Sequence, residues 1–361
     1  MRHKAKYQSL RPYYILLVLS ICLVFVIEIF KNKHDIIEFY YSKNLYSCLS
    51  YFYMILFSWV PFSIGDVVYV GIITFLVALV IILFKNIFRK NWQVVKVKAL
   101  QLICSLLLLY CLFYFNWGLN YFRYTIPEKY GLNMSDLSED DHLTLLESYI
   151  AKANDLRKDL PLSGLNKRGV KQDIEEIVRH DTIFEDFLIK SQIHIKNPIS
   201  SKLISYFTVS GYFNPFTLEA HINEEVPLAG YPFTVAHELA HQQGVGFEDE
   251  CNFIAFEQLK DSKDKWYAYS AYFSAIQYLF QPLFGDEKLV KKYKDMLSPE
   301  VLSDLREERE FWMSYMGWVD KISGVFYDNY LKHNNQPEGI NRYNMMTKLI
   351  LAWDKKKSIE K

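Results

Sequence analysis

Little in this chain of 361 residues is organised by cysteine. Three of its five cysteines, Cys22, Cys104 and Cys111, lie inside apolar runs, and Cys48 and Cys251 stand isolated elsewhere. With no CxxC pair, neither a disulfide framework nor a thiol-redox motif is available. An excess of charge is also missing. The 41 basic residues are matched by 41 acidic ones, which gives no electrostatic reason to expect a nucleic-acid partner. No repeat or low-complexity tract is present, so solenoid architectures drop out. Finally, no small-residue cleavage site follows the first apolar run, which therefore reads as a retained anchor and not as a removed signal.

What is abundant is apolar surface, and it is unevenly spread. Residues 13–30 carry a single acid, Glu28, near the end of the run, and residues 67–84 and 99–115 carry no charge. At 1.5 Å per residue each run crosses or nearly crosses a hydrocarbon layer of roughly 30 Å. Three transmembrane helices follow, and Glu28 reads as an interfacial carboxylate. The basic tail (Arg2, Lys4, Lys6, Arg11) and the loop with Lys85, Arg89, Lys90, Lys96 and Lys98 contain no acid, which places both in the cytoplasm. The third span then delivers the rest of the chain to the outer side. Residues 45–60, apolar and aromatic, would reverse this if they crossed, so they read as an interfacial helix lying on the membrane.

The chain thus divides into a membrane anchor, residues 1–118, and an outer domain, residues 119–361, of a size that one core can support. Its fold class is mainly α with a small β-sheet. Helical spacing marks 143–157 and 170–188, and strict alternation in "FTLEAHIN", 216–223, marks a half-buried strand. "SYFTVS" before it is its expected hairpin partner, turned through "GYFNP". A helix is expected from Phe233 to Gln243, closed by Gly244. Beyond Glu248 the chain reads as helical again, including 305–322 as one stretch and a last helix from about Arg342 to Trp353.

The expected helix contains "HELAH". Residues four apart share a helix face, so His237 and His241 can present imidazole nitrogens to one ion, while Glu238, about a hundred degrees round, lies beside it as a general base. A catalytic zinc needs a third protein ligand, and acids follow the Gly244–Val245–Gly246 turn. If a helix begins near Phe247, Glu248 shares a face with the small residues Cys251, Asn252 and Ala255, whereas Glu250 shares one with Ile254 and Glu257. That favours Glu248 as third ligand over its alternative, Glu250. Asn252, one turn on, can fix the tautomer of a ligand histidine. Tyr343 and His221 are candidate oxyanion or substrate contacts.

"HELAH" followed by "EDECN" resembles the gluzincin type of zincin metallopeptidase, in which HExxH is followed by a Glu and, four residues later, by an acid or amide. The resemblance also implies Glu248 as ligand and Asn252 behind a ligand. Nearly the whole chain resembles a bacterial membrane family of unknown function, the domain-of-unknown-function family numbered 3810. The matching stretches are "PFSIGDVVY", "NWGLNYFR", "GYFNPFTLEAHIN", "AHELAHQQG" with "EDECNF", and "YDNYLKHNNQPEGINRY". That likeness implies a three-span anchor carrying a zincin-like α+β domain, which the basic tail and loop place outside the bacterial cytoplasmic (inner) membrane.

The expected function is zinc-dependent hydrolysis of a peptide or amide bond in a peptide, protein or peptidoglycan-type substrate, with the lipid bilayer as the other partner. The alternative is a non-catalytic, zincin-derived sensor or envelope assembly protein that binds peptide or cell-wall ligands. The orientation is checked directly: alkaline phosphatase fused after residue 130 is expected to be active in the envelope of intact cells, and an inactive fusion would place the domain in the cytoplasm.

Overall fold

A computed structural model describes residues 10–135, 137–339, 342 and 345–359. Helix dominates it. The three apolar runs lie in α1 (Arg11–Lys31), α3 (Ile64–Phe88) and α4 (Trp92–Asn116), each long and apolar enough to cross a membrane. Between the first two, a wide π-helical stretch (Ile37–Tyr46) leads into α2 (Ser47–Phe57), which is not among the membrane-length helices. Segment 45–60 is therefore a short helix and its flanks. The central span is α4, which packs against both α1 and α3.

After α4 come α5 (Ile126–Tyr130), α6 (Glu139–Lys158) and α7 (Val170–Arg179). The helix expected over 170–188 ends nine residues early, and Phe184 and Phe187 instead enter the core from the loop. The sheet follows: β1 (Ile195–Lys196), then α8 (Ser201–Ser205), β2 (Gly211–Asn214) and β3 (Glu219–Ile222). Its order is β1-β3-β2, with β3 parallel to β1 and antiparallel to β2. The remaining helices are α9 (Tyr231–Gln242), α10 (Glu248–Leu259), α11 (Lys265–Phe280), α12 (Glu287–Lys294), α13 (Pro299–Tyr315), α14 (Trp318–His333) and α15 (Met346–Ile359). Residues 305–322 are not one helix, because Gly317 separates α13 from α14, and the last helix begins at Met346 and runs past Trp353.

The hairpin is present with a different register from the expected one. "GYFN" is strand β2 and not the turn, and Ser205 belongs to α8. The strand expected over 216–223 is only Glu219–Ile222, and it is buried on both faces because it lies in the middle of the sheet. Its polar side chains meet protein where the alternating pattern suggested water. The Glu219 carboxylate accepts from the backbone N–H of Gly65 at 2.6 Å, in the first turn of α3, and from Lys196 Nζ at 2.8 Å. The same ammonium donates to the carbonyl of Phe57, the last residue of α2, at 2.6 Å. A buried carboxylate at a helix N-terminus is favoured by the helix dipole, so this group fastens a membrane span to the sheet.

The main core surrounds α9, α10 and α11, and a smaller one joins the anchor to the domain through Ile37, Tyr41, Tyr46, Trp117, Tyr121, Ile189 and Leu218. The division at 118/119 is thus a division of the chain and not of its packing. Arg123, buried, shows how tight the join is. It donates to Glu38 through Nε at 2.8 Å and Nη2 at 3.1 Å, and to the carbonyls of Gly244 at 2.9 Å and Phe187 at 2.6 Å. Breaking one side of a buried ion pair costs about 3–5 kcal/mol because the partner charge is stranded. Arg123→Met is therefore expected to lower the melting temperature in detergent sharply. Arg123→Met combined with Glu38→Gln should melt higher than Arg123→Met alone; equal melting would show that the stranded charge is not the cause.

Candidate functional site

Helix α9 carries the His-Glu-Leu-Ala-His sequence and is buried along its length, with only Thr234 partly exposed. Ala236 and Ala240 on α9 and Cys251 and Ala255 on α10 are all buried, and small residues let two helix backbones approach closely. Between the helices the chain reverses at Gly244, whose φ of 81° is the left-handed conformation favoured by glycine at a helix C-terminus. That turn aims the carbonyl of Val245 back at His241, which it meets at Nδ1 over 2.8 Å. Asn252 Oδ1 meets His237 Nδ1 at 2.7 Å.

With both Nδ1 atoms donating protons, both Nε2 atoms are left to meet an ion or, when protonated, to donate to an acid, and they converge. Glu248 Oε2 lies 3.2 Å from His237 Nε2 and 3.5 Å from His241 Nε2. Two histidines four residues apart, and an acid on the next helix, thus meet at one point. Its other oxygen, Oε1, accepts from the hydroxyl of Tyr327 on α14 at 2.6 Å. Burial works against ionisation of Glu248, but the two histidines outweigh it and hold the carboxyl well below its usual range. Cys251 lies on the far side of His241, with Sγ 3.3 Å from Nδ1 and 3.6 Å from the Val245 carbonyl.

His237, His241 and Cys251 form a buried cluster, with donor atoms within 4.8 Å of one another, that could hold a metal ion. Two donor sets therefore compete, one completed by the thiol and one by the carboxylate. The carboxylate set is the better ordered, because the thiol faces a nitrogen already bonded to Val245, and burial pushes its pKa up to about 12, where it is no thiolate.

Glu238 lies on the same helix, one residue round from His237. It is buried, and burial, opposed by the two histidines and reinforced by Glu248, pushes its pKa up to about 7. Its Oε2 has no hydrogen-bond partner among the described residues. Gly211 in β2 sits directly against it: a Cβ there would come within 2.6 Å of Glu238 Cγ, so this strand position must be glycine for the helix and sheet to touch. His237, Glu238, His241, Glu248 and Asn252 all line a cavity of about 1360 Å³, as do Ser210 to Phe213 of the edge strand and its approach. A volume above that of ordinary small-molecule pockets suits a length of polymer.

Two other expected residues are elsewhere. Glu250 faces away from the histidines and accepts from the backbone N–H of Ile126, at the start of α5, over 2.7 Å. Asp249 between them pairs with Arg342 at 2.7 Å. His221, on the central strand, is stacked on Tyr212 at 4.5 Å and takes no part in the cavity wall, and burial pushes its pKa down to about 4. Tyr343 lies outside the described residues. The residues missed from sequence are Tyr327, the Gly211 strand edge, and Trp117, whose indole N–H donates to the carbonyl of His241 at 3.1 Å. No local spacing announces any of them, since each comes from a distant part of the chain.

The model of a family described as a protein of unknown function (DUF3810) matches residues 41–351. No curated protein and no solved structure matches the chain. The purified protein is expected to contain about one equivalent of metal by mass spectrometry. His237→Ala should empty the site, and Glu250→Gln should leave it filled; loss with Glu250→Gln would contradict the assignment of that acid to Ile126.

Proposed function

The chain belongs to the DUF3810 family, and we propose that it is a membrane-anchored, zinc-dependent metallopeptidase acting outside the bacterial cytoplasmic membrane. The observation that carries this reading is the convergence of two histidine Nε2 atoms on one oxygen of Glu248, beside a buried Glu238 oxygen that has no partner. Zinc takes nitrogen and oxygen ligands at about 2.0–2.1 Å, so a tetrahedral site has ligand-to-ligand edges of about 3.3–3.4 Å. The two contacts to Glu248, 3.2 and 3.5 Å, fit those edges. His237, His241 and Glu248 would hold the ion, with Asn252 and the Val245 carbonyl fixing the histidine tautomers.

When bound, zinc supplies Lewis acidity that polarises the substrate carbonyl and acidifies water. The protein's own groups supply the remainder. Glu238 takes a proton from water at Oε2 and later gives it to the amide nitrogen, so that a C–O bond forms, the C–N bond breaks, and an amine and a carboxylate leave. The Tyr327 hydroxyl donates its one proton to Glu248 Oε1 and so orients that carboxylate; moving that proton to the oxygen that becomes negative would give it the role expected of Tyr343 or His221. Edge strand β2, with one side unpaired within the sheet, can align an extended peptide along the cavity by strand addition. Strand β3 has strands on both sides, so this task falls to β2.

Two variants separate base from ligand. Glu238→Gln is expected to keep its zinc while cleavage of a casein-derived peptide pool falls by about 10²–10⁴-fold, the usual contribution of a positioned base. Glu248→Ala should lose the metal, whereas Cys251→Ala should retain it. Zinc bound without any Glu238-dependent cleavage would replace this reading with that of a non-catalytic binding protein.

A further inference from the structure

The rim of the cavity carries apolar side chains that nothing among the described residues covers. On α14, Trp318, Ile322, Val325 and Phe326 recur at offsets of four, seven and eight and so form one stripe. They are 74%, 50%, 64% and 74% exposed, and Trp318, Ile322 and Phe326 also line the cavity. Around α8, Ile199, Leu203 and Phe207 are exposed as well, and the Phe207 carbonyl accepts from Ser323 Oγ of α14 at 3.4 Å, so the two apolar surfaces adjoin. Single exposed apolar residues are ordinary, but a contiguous patch of this kind marks an interaction surface.

What covers it is indicated by what the two helices are fastened to. At the end of α14, Tyr330 packs on Phe113 with ring centroids 5.9 Å apart, and just beyond it Asn334 accepts from the Tyr114 hydroxyl at 2.9 Å. Both partners lie in the last turn of span α4. On the other side, the Ile199 N–H donates to Asp66 at 2.7 Å, in the first turn of span α3. Helix α2, held by Lys196 to the same sheet, turns its own exposed Tyr51, Phe52 and Ile55 outward, and Trp59 just beyond its end is exposed as well. The patch is therefore continuous with the ends of two spans. Lys202 and Lys321, exposed beside the two apolar surfaces, have the reach to meet lipid phosphates while their stems stay with the apolar residues.

We infer that the apolar lip formed by α8 and α14 is seated in the headgroup region of the outer leaflet, so that the cavity opens onto the membrane and receives polypeptide held in or on the bilayer. The substrate half of this statement rests on the peptidase reading; the seating does not. Burial of such a lip, and not of a freely soluble face, accounts for aromatic and branched side chains at the mouth of a polar site.

The test uses full-length protein in phosphatidylcholine–phosphatidylglycerol vesicles, with Cys22 and Cys48 replaced by Ala. An environment-sensitive fluorophore is placed at Val325→Cys, at Ile73→Cys on span α3 as the lipid reference, and at Lys152→Cys on α6 as the water reference. Each variant is required to melt at the parent temperature. Lipids spin-labelled at carbon 5 are expected to quench position 325 to within about twofold of position 73 and to leave position 152 unquenched. A label at 325 as unquenched as that at 152 overturns the seating, whether water or a protein partner surrounds it. Depth is read without turnover, so failure of the peptidase reading does not affect this result. Cleavage of a palmitoylated casein peptide in the same vesicles should exceed that of the unacylated peptide at least tenfold. Equal cleavage of the two overturns the substrate class, whereas cleavage of neither speaks against the peptidase reading while the quenching still decides the seating.

Discussion

The carbonyl end of helix α9 is the constraint on which the rest depends. The last carbonyls of a helix have no partner within it, and a buried polar group left unpaired costs about 1–3 kcal/mol. Here the helix end and the following turn are buried; the turn's own N–H groups answer Leu239, Ala240 and His241, and further donors come from elsewhere. Trp117 donates to His241, Tyr46 and Ser191 to Gln242, the backbone N–H of Ile189 to Gln243, and Arg123 to Gly244. Trp117 and Arg123 leave span α4, and Tyr46 precedes α2. The helix that carries both histidines is thus completed by Trp117 and Tyr46 of the membrane anchor together with groups of the outer domain, which fixes the site beside the ends of the apolar helices.

The three acids after the turn show how a helix sorts like charges. Consecutive residues point about 100° apart, so Glu248, Asp249 and Glu250 leave α10 in three directions. Each meets a different source of positive potential: the histidines for Glu248, Arg342 for Asp249, and the N-terminal amide of α5 for Glu250. Arg342 is further held over the Phe247 ring, 4.2 Å from its centroid, which ties the chain near its C-terminus to the start of α10. Burying one acid without its partner would drive a proton onto it. Even with these partners, burial pushes Asp249 up to about 6 and Glu250 up to about 8, and of the three only Glu248 is held well below its usual range, by the histidines.

Much of this was legible from residue order, and the reasons for the failures are physical. The spans needed only length and the absence of charge, and α9, α10 and the Asn252 contact followed from spacing along a helix, where i and i+4 are neighbours by geometry. The same geometry puts Glu248 beside the histidines and Glu250 against the N–H of Ile126. The hairpin was misplaced because Gly211, Asn214 and Pro215 carry turn propensity, while Gly211 is glycine for contact with Glu238. Alternation in residues 216–223 was taken as a wet face, but Glu219 is polar to hold a helix N-terminus and a lysine. Tyr327 and Trp117 left no signal, since a hydrogen bond across 79 or 124 residues imposes no period on the sequence.

Two walls of unlike stiffness enclose the cavity. On one side β2 is fixed by its ladder to β3 and by the packing of Gly211 on Glu238, so Glu238 and the strand edge move together. On the other side α14 is tied mainly at its C-terminal end, through Tyr330 and the adjoining Asn334, and by Tyr327 to Glu248. Its outward stripe faces no other element among the described residues, so the medium around it bears on where the helix rests. Tyr327 and that stripe belong to one helix, opposite in direction and rigidly joined. Any displacement of the stripe is therefore transmitted to the hydrogen bond at Glu248, and the surface that meets the membrane shares a lever with the group that would hold the metal.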